Sequence, residues 1–198
     1  MLIIAHETDR GHYADLFDQM YRLRAREFGL RRGWRVEVVD GRERDHFDDL
    51  NPLYVCVATE EGRLLASLRL LPTTGPHMLA DIFPEVMGEA GIVRHPLILE
   101  VSRLCVDTAF ARDFGPGGIN RVTRELLTGL FTTALQAGMS DLIAVYDLYV
   151  ERILRMAGCR FERLGPVQTY DDLRTVGGLF EVSGEVIGTL QERSALAA

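Results

Sequence analysis

Residues 97–107 read Leu97-Ile98-Leu99-Glu100-Val101-Ser102-Arg103-Leu104-Cys105-Val106-Asp107 (LILEVSRLCVD), a nearly continuous apolar run. Such a run suits a strand covered on both faces, at the centre of a sheet. Glu100 and Arg103 interrupt it. Strict alternation places Glu100 with Ser102 and Leu104, and Arg103 with Val101 and Cys105, on opposite faces. If both charges serve one site, a β-bulge must break the register between them. A carboxylate in a central strand is costly unless it is paired or functional. Glu100 is therefore a functional candidate, with a buried salt bridge to Arg24 or Arg69 as its structural alternative.

The flanking segments fix the class. Upstream, Leu2 to Ala5 and Tyr54 to Thr59 read as strands, and Glu60-Glu61-Gly62 turns the chain into a returning strand, Leu64 to Leu71. Arg69 lies on one face of that strand with Leu65, Ser67 and Leu71. Pro72 to Pro84 (PTTGPHMLADIFP) is a long punctuated connection, the kind of segment that often carries function, and Met87 to Pro96 reads as loop or short helix. Downstream come a glycine-rich loop (Ala109 to Asn120), a helix from about Asn120 to Ala137 stopped by Gly138, and a strand from Asp141 to Asp147. A helix from Leu148 to Ala157 follows, with Gly158 as its cap. Cys159 to Arg163 and Leu179 to Val182 complete the strands, and the tail from Ser183 is helical before it frays. Strands mixed with helices, with no repeat or linker, indicate an α/β fold: one domain over 1–198, an α-β-α sandwich with a central mixed sheet.

The N-terminal third holds the densest polarity. A helix capped by Thr8 or Asp9 runs to about Phe28, with Gly29 as its stop. Tyr13, Phe17, Met20, Arg24 and Phe28 share one stripe. Arg24 is the anomaly there, because a guanidinium facing a core needs anions. Asp45 and Asp48 follow in a charged loop (Gly41 to Pro52) expected to be mobile without ligand, and the only tryptophan, Trp34, lies between. An arginine, aromatics and two carboxylates can hold a small ligand carrying both an ammonium and a carboxylate. Taken singly, each also has a bland explanation: a snorkelling arginine, a core tryptophan, a solvated loop.

Composition excludes several classes. The 198 residues carry a net charge of −7, against nucleic-acid binding. All 22 basic residues are arginine, which rules out Schiff-base or lysine-base chemistry. Cys56, Cys105 and Cys159 have neither metal nor disulfide spacing, so no metal is expected and a reducing, cytoplasmic location is. No signal peptide is read, and no apolar run approaches the roughly 20 residues of a membrane span. Nothing specifies an oligomer beyond a monomer or weak dimer.

Leu23-Arg24-x3-Phe28, Gly33-Trp34, Asp45-x2-Asp48, Arg69, Thr73-Thr74-Gly75-Pro76, Phe83-Pro84-Glu85 and Leu99-Glu100-Val101-Ser102-Arg103 form an ordered set. Together they resemble the LuxI-type acyl-homoserine lactone synthases. The match is dense from Arg22 to Arg103 and looser at 152–166. The resemblance implies a fold similar to the GNAT N-acetyltransferase sandwich, with a cleft between two splayed central strands. It also implies acylation of S-adenosylmethionine by an acyl thioester, followed by lactonisation and loss of methylthioadenosine. S-adenosylmethionine would be a substrate, and no cofactor is implied. Arg24, Phe28, Trp34, Asp45, Asp48, Arg69, Phe83 and Arg103 correspond to the S-adenosylmethionine site, and Glu100, Arg103 and Asp45 to the catalytic positions. Glu100 is the candidate base for the amine. Asp45 and Asp48 attract its positive groups, Arg24 and Arg103 offset its carboxylate or tie the acids in place, and Phe28 and Trp34 stack on adenine or face the sulfonium.

For the donor, the resemblance favours acyl carrier protein, with Arg121, Arg124, Arg152 and Arg155 as a local basic patch. Arg112-x2-Gly115-x-Gly117 instead resembles the pyrophosphate loop of N-acetyltransferases, which keeps acyl-CoA open. Ser102, Leu104, Ala144 and Tyr146 fall where the acyl chain and pantetheine would lie. Relatives that accept 3-oxo chains often carry threonine on the strand that here holds Ala144 and Tyr146. That departure argues against a 3-oxo product, and the bulk of Tyr146 suits a shorter, branched or aromatic acyl group. The competing readings are an ordinary acetyl-CoA N-acetyltransferase and a non-catalytic binding protein on the same scaffold.

Overall fold

The structure, a computed structural model, describes residues 1–110, 119–170 and 172–195. Its strands in chain order are β1 (Leu2–His6), β2 (Val38–Val39), β3 (Arg42–Glu43), β4 (Leu53–Ala58), β5 (Leu64–Pro72), β6 (Ile98–Val106), β7 (Asp141–Asp147), β8 (Phe161–Arg163), β9 (Gln168–Tyr170) and β10 (Leu173–Glu181). Its α-helices are α1 (Ala14–Arg24), α2 (Met78–Asp81), α3 (Arg121–Gln136), α4 (Leu148–Ala157) and α5 (Gly184–Ala195). One mixed sheet runs β1-β4-β5-β6-β7-β10-β8, with β9 on β10; β2 and β3 make a separate ribbon. The expected central strand is indeed β6, antiparallel to β5 and parallel to β7.

Alternation along the strands sorts the two faces. Tyr54 and Cys56 of β4 pack under Leu16, Phe17 and Met20 of α1. Val55 and Val57 point the other way, into a larger core with Leu126 and Leu130 of α3, Leu154 of α4 and Val186 of α5. The result is the three-layer α-β-α sandwich expected from the sequence. Side-chain caps define the helix starts: Asn120 accepts the Thr123 N–H at 2.7 Å, and Asp147 accepts the Val150 N–H at 2.8 Å. None of the described helices is long and apolar enough to cross a membrane.

Three local readings need correction. The first helix is not continuous. A 3-10 turn (Glu7–Gly11), set by the Asp9 carboxylate on the His6 N–H, precedes α1, and a π-helical stretch (Ala25–Arg31) carries the chain past Gly29. The charged loop from 41 to 52 is folded down rather than solvated: it forms β3 and a 3-10 turn (His46–Leu50), and it buries Glu43, Phe47 and Asp48. The last strand is nine residues long, because Gly177 and Gly178, which break the apolar pattern, are inside β10 rather than before it. A Cβ at 178 would lie 2.3 Å from the Tyr146 hydroxyl, so that position needs glycine for close packing.

Two features of β6 position the site. Its pairing with β5 shifts register between Ser67 and Arg69, and Arg103 sits in the left-handed region at φ 54°. This is the bulge that the opposed faces of Glu100 and Arg103 required. It turns Arg103 to the face of Arg69, at a backbone cost of about 1–2 kcal/mol. In addition, β6 and β7 pair only from Ile98↔Asp141 to Val101↔Ala144, although β6 continues to Val106 and β7 to Asp147. Past Val101 and Ala144 the two strands part.

Candidate active site

On the α1 face, against the bulge, six charged side chains close into one network. Arg24 of α1 donates from Nη1 and Nη2 to the two oxygens of Asp48, both at 2.9 Å, and from Nε to Glu43 at 2.5 Å. Arg69 of β5 donates to Asp45 at 2.5 Å, to Asp48 at 2.8 Å and to the Ser102 hydroxyl at 3.1 Å. Arg103 reaches Glu43 at 2.9 Å and Asp45 at 2.7 Å. Three guanidinium groups thus face three carboxylates, and the network is neutral as a whole.

The network has an inside and an outside. Arg24, Glu43, Asp48 and Arg69 are at most 1 % exposed, whereas the Asp45 and Arg103 side chains keep 18 % and 13 %. Asp48 is saturated: besides the two arginines it accepts from the Tyr54 hydroxyl at 2.7 Å and from the Asp45 N–H at 2.9 Å. Burial alone would raise its pKa, but Arg24 and then Arg69 hold the carboxyl well below the usual range. Burial likewise opposes the Arg69 bonds at Asp45, whose pKa still ends lowered. Both acids are therefore anionic at neutral pH, and only Asp45 has a free edge.

That edge opens on a polar cavity of about 540 Å³ whose walls include Phe28, Trp34, Asp45, Met78, Phe83 and Arg103. Trp34 meets Phe83 edge-on at 5.8 Å, and the Arg103 guanidinium lies 5.4 Å from the Phe28 ring centre. On the other side of the parted strands is an apolar cavity of about 90 Å³, walled by Val101, Leu104, Leu127, Ala144, Tyr146 and Phe180, with Ser102 at its edge. Trp34 and Arg103 line both cavities.

Glu100 stands apart from the ion pairs. It is fully buried, its Oε1 accepts the Leu79 N–H at 2.6 Å, and its Oε2 has no partner among the described residues. Neither of its structural alternatives, a salt bridge to Arg24 or to Arg69, forms among the described residues. It connects to the network through α2: the Met78 sulfur, next to Leu79, lies 3.3 Å from donors on both Arg69 and Arg103. Burial raises the Glu100 pKa to about 7, since its backbone donors and the more distant arginines offset only part of the desolvation. Glu100 lines neither cavity, but it adjoins Val101 of the apolar wall and bonds the residue after Met78 of the polar wall, and a carboxyl poised near neutrality there is suited to proton transfer.

Of the residues singled out from the sequence, Phe28, Trp34, Asp45, Phe83 and Arg103 thus form cavity wall. Arg24, Asp48 and Arg69 form the frame behind it, and Glu100 stands behind α2. Ser102, Leu104, Ala144 and Tyr146 line the apolar cavity. Arg112, Gly115 and Gly117 fall outside the described residues. The basic patch is thinner than expected: Arg124 is buried, while Arg121, Arg152 and Arg155 face outward, Arg155 with its charge offset by Glu151 at 3.0 Å. Glu43 was missed. The available signal was its two-residue offset from Asp45, which in an extended segment places both carboxylates on one face.

Comparison with known proteins agrees with this geometry. The profile described as autoinducer synthase matches residues 8–189. An acyl-homoserine-lactone synthase of Agrobacterium fabrum is 35% identical over 153 residues, which are 77% of this chain and 72% of that protein. The solved structure of a CoA-dependent acyl-homoserine lactone synthase, BjaI, with SAM and isopentyl-CoA superposes with a TM-score of 0.88 at 26% identity, covering 100% of this chain and 90% of that one. A putative N-acetyltransferase from Lactobacillus plantarum, at 19% identity and a TM-score of 0.60, shares the fold. With a match over nearly its whole length, and with the parted strands and buried ion network in place, the chain belongs to the autoinducer synthase family.

Proposed function

We propose that this protein makes an N-acyl-L-homoserine lactone from S-adenosylmethionine and an acyl thioester. The observation that carries the reading is the pair of cavities, one polar and one apolar, that meet at Trp34 and Arg103 where β6 and β7 part. A zwitterionic sulfonium and a lipid-like chain must be brought together there, and the two walls match those two chemistries.

In the polar cavity, Asp45 offers a carboxylate edge to the α-ammonium, and Arg103 offers its guanidinium to the methionyl carboxylate. Trp34, Phe28 and Phe83 provide faces for adenine and sulfonium. The frame of Arg24, Glu43, Asp48 and Arg69 fixes Asp45 and Arg103, so little is lost in ordering them when substrate binds. Glu100, directly or through water, takes a proton from the ammonium. The freed amine attacks the thioester carbonyl carbon, the N–C bond forms, the C–S bond breaks, and the thiol leaves with a proton. One methionyl carboxylate oxygen then attacks the γ-carbon. The bond to the sulfonium breaks, and methylthioadenosine departs with the electron pair. That step needs positioning rather than an enzyme nucleophile. The scheme uses no cofactor, since S-adenosylmethionine is consumed.

The donor is an acyl thioester. Acyl carrier protein is our first assignment and acyl-CoA the second; the burial of Arg124, which takes it out of the basic patch, weakens the first. We place the reaction in the cytoplasm, where both substrates are made and three free thiols stay reduced. The test is mass spectrometry of medium from cells expressing the chain. An acyl-homoserine lactone absent from control cells supports the assignment; medium unchanged across several hosts rejects it.

A further inference from the structure

We infer that Tyr146, seated on Gly178, closes the end of the apolar cavity and limits the length of the acyl chain the enzyme transfers. The inference rests on the reading above and specifies its acyl substrate. Tyr146 projects from β7 two residues past Ala144, where the pairing with β6 ends. Its partner across β10 is Val176, yet its ring leans back over Gly178, the partner of Ala144. The closeness is extreme: a Cβ at 178 would fall 2.3 Å from the hydroxyl and 2.9 Å from the ring. Phe161 and Phe180 hold the ring edge-on at 5.9 and 5.7 Å. The side chain is thus fixed from the strand side and from its flanks, and its ring forms cavity wall beside Ala144 and Phe180.

The hydroxyl does not face the cavity. It is shut in against β10 with no hydrogen-bond partner among the described residues. An acyl chain therefore meets the ring and not the oxygen, and selection works by length rather than by a hydrogen bond. The whole cavity is about 90 Å³, less than the roughly 150 Å³ of an apolar cavity that accepts benzene. A short or branched chain fits; a long one requires the ring to move. Removing the ring opens the region against Gly178 and Phe161 to further methylenes, each worth about fourfold in kcat/KM when buried (about 0.8 kcal/mol).

The experiment is a series of straight-chain acyl thioesters of increasing length, on whichever carrier the enzyme accepts, with methylthioadenosine release as the readout. It is run on the full-length protein and on Tyr146→Ala, Tyr146→Phe and Gly178→Ala. The long-to-short ratio of kcat/KM within each variant is compared, so partial loss of folded enzyme cancels. The expected result is a ratio raised at least tenfold in Tyr146→Ala, unchanged in Tyr146→Phe, and lowered in Gly178→Ala, where the new methyl pushes the ring into the cavity. Gly178→Ala alone carries the test if Tyr146→Ala does not fold. An unchanged ratio in Tyr146→Ala, or an equal rise in Tyr146→Phe, overturns the inference while leaving the reaction standing. No methylthioadenosine from any donor with the unmodified enzyme defeats the reaction itself, and the inference with it.

Discussion

Replacing Glu100 with glutamine removes a titration without removing a shape. Glutamine fills nearly the same volume, and its carbonyl can still accept the Leu79 N–H. In the folded protein Glu100 holds its proton up to about pH 7, against 4.5 for an ordinary glutamate, because burial disfavours the anion. Its folded pKa is raised, so the unfolded chain gives up that proton first. Stability from this group is then fully present below about pH 4.5 and is lost as pH rises through 7. A shift from 4.5 to about 7 corresponds to roughly 3 kcal/mol in total, of which roughly 2–3 fall between pH 5 and 8. The assay is urea unfolding of both proteins at those two pH values. Every other titrating group contributes equally to the two curves and drops out of the difference. The unmodified protein should lose roughly 2–3 kcal/mol more than Glu100→Gln over this interval. Parallel pH curves would mean that Glu100 titrates as it does in the unfolded chain, and the assignment of a near-neutral base would fail.

Further outcomes follow from the same geometry. The kcat/KM for methylthioadenosine release should climb with pH to a bend near 7 as Glu100 loses its proton, and Glu100→Gln should be about 10²–10⁴-fold slower with that bend gone; a bend that survives in the variant assigns the proton to another group. Asp48→Asn leaves Arg24 and Arg69 facing one carboxylate fewer in a sealed interior and should cost about 3–5 kcal/mol by denaturant titration; a loss below 1 kcal/mol contradicts the saturated frame. Trp34→Ala should raise KM for S-adenosylmethionine and for the acyl donor together, because the ring borders both cavities; an effect confined to one substrate would separate them.

How much was legible in the sequence depends on how local the determining forces are. The central strand could be read because its apolar run and its two charges lie within 97–107, and the conflict between alternation and a shared site required the bulge that Arg103 now occupies. The starts of α3 and α4 and the stop at Gly158 are set by short-range caps, and they fell where expected. Glu43 was not legible in the same way. In a run of alternating charges it looks like any solvated acid, and it is buried only because Arg24 and Arg103 reach it from 19 and 60 residues away. The charged loop was misjudged for the same reason: its partners lie on α1, β5 and β6. The last strand, expected over Leu179 to Val182, starts earlier because Gly177 and Gly178 interrupt its apolar pattern yet lie inside it, where they let Val86 and Tyr146 approach. The separation of the site into a wall and a frame is likewise a matter of tertiary depth, which spacing alone does not encode.

In the proposed reaction one site couples acyl transfer to lactone formation on S-adenosylmethionine. A time course with purified protein, S-adenosylmethionine and a short-chain acyl thioester, with methylthioadenosine and acyl-homoserine lactone counted in the same samples, reads that coupling. The two products should appear one for one, and neither should form when the thioester is left out. Release of thiol without methylthioadenosine, with the acyl group on some other amine, would mean that the site does not make the lactone.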